Sequence, residues 1–172
     1  AFAGPATVAN TPFVGPNTVV RVADMNGNGS ADIVWIDPTN STAPWRYLDL
    51  LADGAPGLLT SIDNGLGKVA SIEYAGIGAM RGRARNLGIP WSHRSSIGQS
   101  VLSRIVLDDS LGNIRDTRYF YADAYFDAQE REARGFARTE SVETGAGGQP
   151  TLVTERRYDL GESESAQKGK LQ

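Results

Sequence analysis

Asp24-Met-Asn-Gly-Asn-Gly-Ser-Ala-Asp32 sets oxygen-bearing side chains at alternate positions: Asp24, Asn26, Asn28, Ser30 and Asp32. Gly27 and Gly29 lie between them, and glycine readily adopts the backbone angles that a tight loop demands. Apolar residues flank the stretch, with Val19, Val20 and Val22 before it and Ile33-Val-Trp-Ile36 after it. Short β-branched runs bounded by Gly, Asn and Asp read as strands, so this is a loop between two strands. Hard oxygens around flexible glycines suit a calcium ion, which takes about 6–8 oxygen ligands at about 2.3–2.6 Å. An EF-hand opens the same way but needs flanking helices and a bidentate Glu at the last loop position. Counted from Asp24, that position is Trp35. The reading that remains is a strand-borne loop for a structural Ca2+. Asp24 and Asp32 supply charge, Asn26 and Asn28 neutral oxygens, and Ser30 its main-chain carbonyl. The same residues also suit an ion-free turn held by Asx caps.

Outward from the loop, strands are expected over Thr18–Ala23, Ile33–Asp37 and Trp45–Leu50, with a turn cluster at Pro38–Pro44 and a break at Ala52–Gly57. Residues 1–18 are an irregular lead-in, since Pro12 and Pro16 leave room for no more than a short edge strand. Residues 1–57 therefore resemble one propeller blade. A single blade cannot bury its own faces, so it requires neighbouring blades or the sheet that follows. From Leu58 the texture changes. Leu58–Asp63 and Lys68–Tyr74 flank Asn64-Gly65, a strong hairpin signal. Further strands are expected at Val101–Leu107, Ile114–Ala122, Phe136–Glu143 and Thr151–Tyr158. Residues 75–98 read as irregular, Asp123–Arg134 as the one helical turn, and the polar tail 161–172 as flexible. The expected fold is all-β: a blade-like calcium-loop unit over 1–57, then an antiparallel sheet of long hairpins over 58–160.

Composition narrows the function classes. The 172 residues are 40% hydrophobic and 22% charged, within the range of folded proteins. A net charge of −3 argues against nucleic acid, which calls for a basic stripe. The absence of cysteine excludes disulfides and thiolate zinc sites. No apolar run is long enough for a spanning helix, so direct membrane insertion is not expected. The first residues lack a basic segment and an apolar core, unlike a signal peptide, and the missing initiator Met reads as a chain cut from something longer.

No residue set announces catalysis. His93 is the single histidine, with Ser92 and Ser95 close in sequence, but no Gly-x-Ser-x-Gly elbow accompanies it. The acidic pairs Asp108/Asp109, Asp123/Asp127 and Glu130/Glu132 lie in turn-like or mixed-charge stretches, not across an evident cleft. Arg81, Arg83, Arg85 and Arg94 suggest a soluble loop or partners for acidic neighbours, and no phosphate-cradling motif accompanies them. The aromatics Tyr119, Phe120, Tyr121, Tyr125, Phe126 and Phe136 are expected to pack.

Three stretches together carry a resemblance. Val22-Ala-Asp-Met-Asn-Gly-Asn-Gly-Ser-Ala-Asp-Ile-Val-Trp35 resembles an FG-GAP/VCBS-type propeller repeat. Leu58–Tyr74, and Tyr119–Asp127 followed by Glu130-Arg-Glu-Ala-Arg-Gly-Phe136, resemble the middle region of Tc toxin B components and SpvB-like proteins. The resemblance covers roughly residues 18–160. It implies a secreted bacterial toxin component in which a β-propeller leads into an Rhs/YD-type shell. That shell encloses a C-terminal toxic domain, and the propeller docks on a translocating toxin-complex subunit. On this reading the chain is scaffold, with no catalysis, and its partners are that subunit and the rest of its own shell. The rival reading is a calcium-dependent carbohydrate-binding or adhesion module using Trp35, Trp45 and Trp91. A hydrolase using Asp108 and Asp109 is a remote third.

Overall fold

The computed structural model describes residues 4, 7–28, 30–51, 57–93, 98–145 and 149–172. Among these, the strands form two antiparallel sheets. The first has three strands in sequence order, β1 (Val19–Ala23), β2 (Asp32–Ile36) and β3 (Trp45–Leu48). The second has six, β4 (Ser61–Asp63), β5 (Val69–Gly76), β6 (Ser100–Asp108), β7 (Ile114–Asp127), β8 (Glu132–Thr144) and β9 (Leu152–Arg157), again in sequence order. The all-β expectation therefore stands. Its hairpins follow from turn chemistry. Asn64 Oδ1 accepts hydrogen bonds from the Leu66 and Lys68 main-chain N–H groups, while Gly65 and Gly67 take left-handed φ values of 68° and 91°. Asp109 closes the β6–β7 turn likewise, accepting from Leu111 and Asn113. The expected break at 52–56, Arg94, Ser95 and the 146–148 loop lie outside the described residues.

The one α-helix among the described residues overturns an expectation. Helix α1 (Ile77–Asn86) lies inside the stretch read as irregular. Gly78 and Gly82 lower its propensity and its first turn has no side-chain cap. Packing decides the matter instead, because Ile77, Met80 and Ala84 share one face and are buried. Ile77 and Met80 join Val101 and Ala124 in the core beneath the helix, with Trp91, Phe120, Tyr121 and Phe136 packed around them. The arginines divide. Arg83 lies 3.3 Å over the Phe120 ring and 3.3 Å from Glu140, whereas Arg81 stands 5.9 Å from Trp91.

The expected helical turn at Asp123–Arg134 is instead the end of β7, a turn and the start of β8. Strand pairing of Phe126 with Ala133 and of Asp127 with Glu132 consumes the backbone groups a helix would use. Asp127 Oδ1 caps the turn by accepting from Gln129 and Glu130, and Arg131 takes a left-handed φ of 54°. Past β9 the chain keeps backbone contacts. Tyr158 bridges Leu171, and the main-chain N–H groups of Gly169 and Asp159 donate to the carbonyls of Asp159 and Lys170.

The loop at 24–32 touches the larger sheet main chain to main chain. A Cβ placed on Gly76 would stand 2.0 Å from the Gly27 carbonyl oxygen, and one on Gly78 would stand 3.1 Å from the Asn26 carbonyl oxygen. The Ser100 hydroxyl donates to the Asn28 carbonyl, and a Cβ on Gly98 would collide with the Asp24 carboxylate. Hence Gly76→Ala is expected to destabilise by about 1–3 kcal/mol, since backbone must move. Gly82→Ala, on an open and exposed helical position, is expected to stabilise by about 0.5–1 kcal/mol. Denaturant unfolding of the two variants measures both.

On the larger sheet, Arg104 grips Asp116 through two hydrogen bonds of 2.8 Å and also pairs with Glu73 at 2.9 Å. The Arg104 hydrogen bond, aided by the charges of Arg104 and Arg118, holds the Asp116 carboxyl below its ordinary range although burial opposes it. A carboxyl depressed in the fold stabilises above its unfolded value, and that contribution is lost progressively in acid below about pH 5. Asp116→Asn should lower stability at neutral pH and flatten the acid limb of the stability curve, read by unfolding at a series of pH values.

Candidate metal centre

The structure gathers the five oxygen-bearing residues of the loop through their own hydrogen bonds. Asp24 Oδ1 accepts from the N–H of Gly27 at 2.7 Å and of Asn28 at 3.1 Å. Asn26 Oδ1 accepts from Asn28 N–H at 3.0 Å. Asn28 Oδ1 takes the Ser30 N–H at 2.7 Å and its hydroxyl at 2.6 Å. Asp32 Oδ2 accepts from Met25 N–H at 2.7 Å. The turn this makes is the Asx-capped arrangement, with Gly27 at a φ of 75°.

One residue escaped the sequence reading. Asp49, just past β3, accepts from the side-chain amides of Asn26 at 2.5 Å and Asn28 at 3.5 Å. It ties the loop to the third strand of its own sheet. The sequence offered no spacing that would single it out.

Whether a cation fits turns on Asp32. Asp32 is 0% exposed, and among the described residues its Oδ1 has no hydrogen-bond partner. A buried carboxylate oxygen without a donor carries a desolvation cost of about 1–3 kcal/mol or more, which a bound cation would offset. That observation fits a metal. Among the described residues, no three His, Cys, Asp or Glu side chains converge on one point. A cation here would therefore draw on two carboxylates together with amide and main-chain oxygens. Calcium accepts such a donor set, whereas zinc prefers nitrogen and sulfur.

The other candidates separate clearly. His93 Nδ1 lies 2.9 Å from Asp123 Oδ2, and its Nε2 touches Glu162 Oε1. Both ring nitrogens thus face carboxylates and not a serine hydroxyl. Asp109 is spent on capping its turn, which holds its carboxyl below the usual range chiefly through the Asn113 side-chain hydrogen bond. Trp35 is buried and Trp91 packs on the core, while Trp45 is 60% exposed. The three tryptophans of the rival reading do not form one exposed platform.

Comparison with known proteins points one way. The sequence profile described as "Insecticide toxin TcdB middle/N-terminal region" matches residues 1–162. A comparison with curated protein sequences gives no significant match. Among solved structures, the crystal structure of TcdB2-TccC3 without its hypervariable C-terminal region superposes with a TM-score of 0.67 at 24% identity, over 87% of this chain and 7% of that one. The crystal structure of TcdB2-TccC3-Cdc42 gives 0.69 at 24% identity, over 87% and 8%. The Photorhabdus luminescens Tc holotoxin pore, carrying a TccC3 variant, gives 0.67 at 22% identity, over 87% and 7%. At these identities the structures show the shared fold, and the chain spans less than a tenth of their length. With the profile covering nearly all of the sequence, the chain belongs to the insecticide toxin TcdB middle/N-terminal region family.

Proposed function

We propose that this chain is a non-catalytic structural part of a secreted bacterial toxin-complex protein of the B type. Residues 1–57 would end a β-propeller and residues 58–160 would begin a shell around a C-terminal toxic domain. The observation that carries this reading is the state of the small sheet. Its central strand β2 is covered, with Val34 and Trp35 buried, while the outer strands carry Val22 at 70% and Trp45 at 60% exposure. A three-stranded sheet covered only along its middle suits a blade whose neighbour is another blade. The neighbouring structures, a TcdB2-TccC3 complex and a Tc holotoxin pore, are assemblies in which such a part would sit among a translocating subunit and the rest of its shell. No helix among the described residues is long and apolar enough to cross a membrane, which suits a component that leaves translocation to a partner.

A longer chain carrying the preceding blade tests this. Hydrogen exchange in β1 and β3 should slow, and the emission of Trp45 should shift to the blue. Unchanged exchange and emission, in a longer chain that is itself folded, would remove the propeller from the account.

Within this reading the loop at 24–32 is a structural calcium brace, supported by the orphaned Oδ1 of buried Asp32. Calcium at about 100 times its Kd should then add about 2.7 kcal/mol, a rise in thermal midpoint on the order of 5–10 °C that EDTA reverses. Asp32→Asn should abolish the calcium response, and saturable glycan binding should be absent. A midpoint indifferent to calcium would assign the loop to its Asx caps alone.

A further inference from the structure

The segment after β9 returns across the larger sheet as a strap. Among the described residues, three side-chain ties hold it. Arg134 is buried, and its Nη1 donates to the carbonyls of Leu160 at 3.4 Å and Gly161 at 2.5 Å while its Nη2 meets Asp127 at 2.6 Å. Lys168 pairs with Glu132 across the surface. The third tie is His93, which meets Glu162 of the strap through Nε2 and Asp123 of β7 through Nδ1.

These ties differ in kind. Arginine and lysine keep their charge throughout the neutral range, whereas histidine is the side chain whose charge ordinarily changes between about pH 5 and pH 8. A neutral imidazole has one N–H donor and one lone pair. With a carboxylate at each nitrogen, the neutral ring leaves one lone pair facing a carboxylate oxygen. The imidazolium sets its positive charge against both carboxylates, although Nδ1 makes an ion contact with Asp123 and no aligned hydrogen bond. The site is also built to hold the ring. The His93 main-chain N–H donates to Asp123 Oδ1 at 2.8 Å, and Asp123 takes a left-handed φ of 62° within β7. The Tyr125 ring lies 5.0 Å away at a tilt of 49°, and Arg134 stands 5.9 Å from that same ring. An open cleft of about 430 Å3 beside His93 admits water. It is lined by Arg138, Arg157, Tyr158 and Asp159 as the remaining charged or titratable neighbours.

We propose that His93 is a protonation-dependent latch, closing the strap onto β7 as the imidazolium and loosening it as the neutral ring. The sign follows from the contacts. The tie is present while the ring carries its second proton and is lost when the ring gives it up, while the Arg134 and Lys168 contacts do not involve the ring. Release therefore frees Glu162 and its neighbours and leaves Leu160–Gly161 anchored.

Hydrogen exchange of residues 162–172 in the whole chain, corrected for intrinsic rates, tests this at about pH 5.5 and about pH 8, the two sides of that range. Protection should fall about two- to five-fold at the higher pH, the scale of a partly exposed ion pair. His93→Gln should show low protection at both values, and Lys168→Met should lower protection while keeping the pH dependence. Exchange in β7 and β8 reports whether the His93 variant is folded. Should that variant be misfolded, the wild-type and Lys168→Met profiles decide alone. A wild-type strap with no pH dependence, or a dependence retained in folded His93→Gln, would overturn the latch.

Discussion

The approach of one backbone to another at Gly27 and Gly76 constrains this structure more than any side-chain contact. No side chain fits at position 76 while the Gly27 carbonyl keeps its place. That requirement fixes where β5 ends and α1 begins, because Gly76 is both the last residue of the strand and the N-cap of the helix. The helix then carries Ile77 and Met80 into the core shared with Val101 and Ala124. The loop that looked like a separate metal site is thus also the joint between the two sheets. Its caps, its tie to Asp49 and its contact with Ser100 all serve to hold one backbone shape.

Much of the fold was legible because hairpin signals are local. Asn64-Gly65 and Asp108–Asn113 marked their turns, and alternation between them marked the strands. The helix was not legible for the opposite reason. Its two glycines and poor cap argue against it locally, and only burial of Ile77, Met80 and Ala84 supports it. The false helical turn at Asp123–Arg134 failed the same way, because good helix formers were recruited into a long strand pair. At the loop, spacing found Asp24, Asn26, Asn28, Ser30 and Asp32, but not Asp49, whose link to them is tertiary.

The Glu130-Arg-Glu-Ala-Arg-Gly-Phe136 motif gains a physical meaning. Arg134 is the buried clamp on the strap, Gly135 supplies a φ of 89° beside the β-bulge, and Phe136 stacks with Tyr121 at 4.9 Å. Glu132 holds Lys168. The motif therefore sits in the β7–β8 hairpin and holds the segment that follows β9.

The loop at 24–32 thus acts as a structural joint between the sheets and not as an isolated site. Nuclear Overhauser contacts in the whole chain test it most directly. Close contacts between the Gly27 protons and those of Gly76 and Gly78, in a protein whose two sheets are both formed, are the predicted result. Two intact sheets without those contacts would contradict the claim.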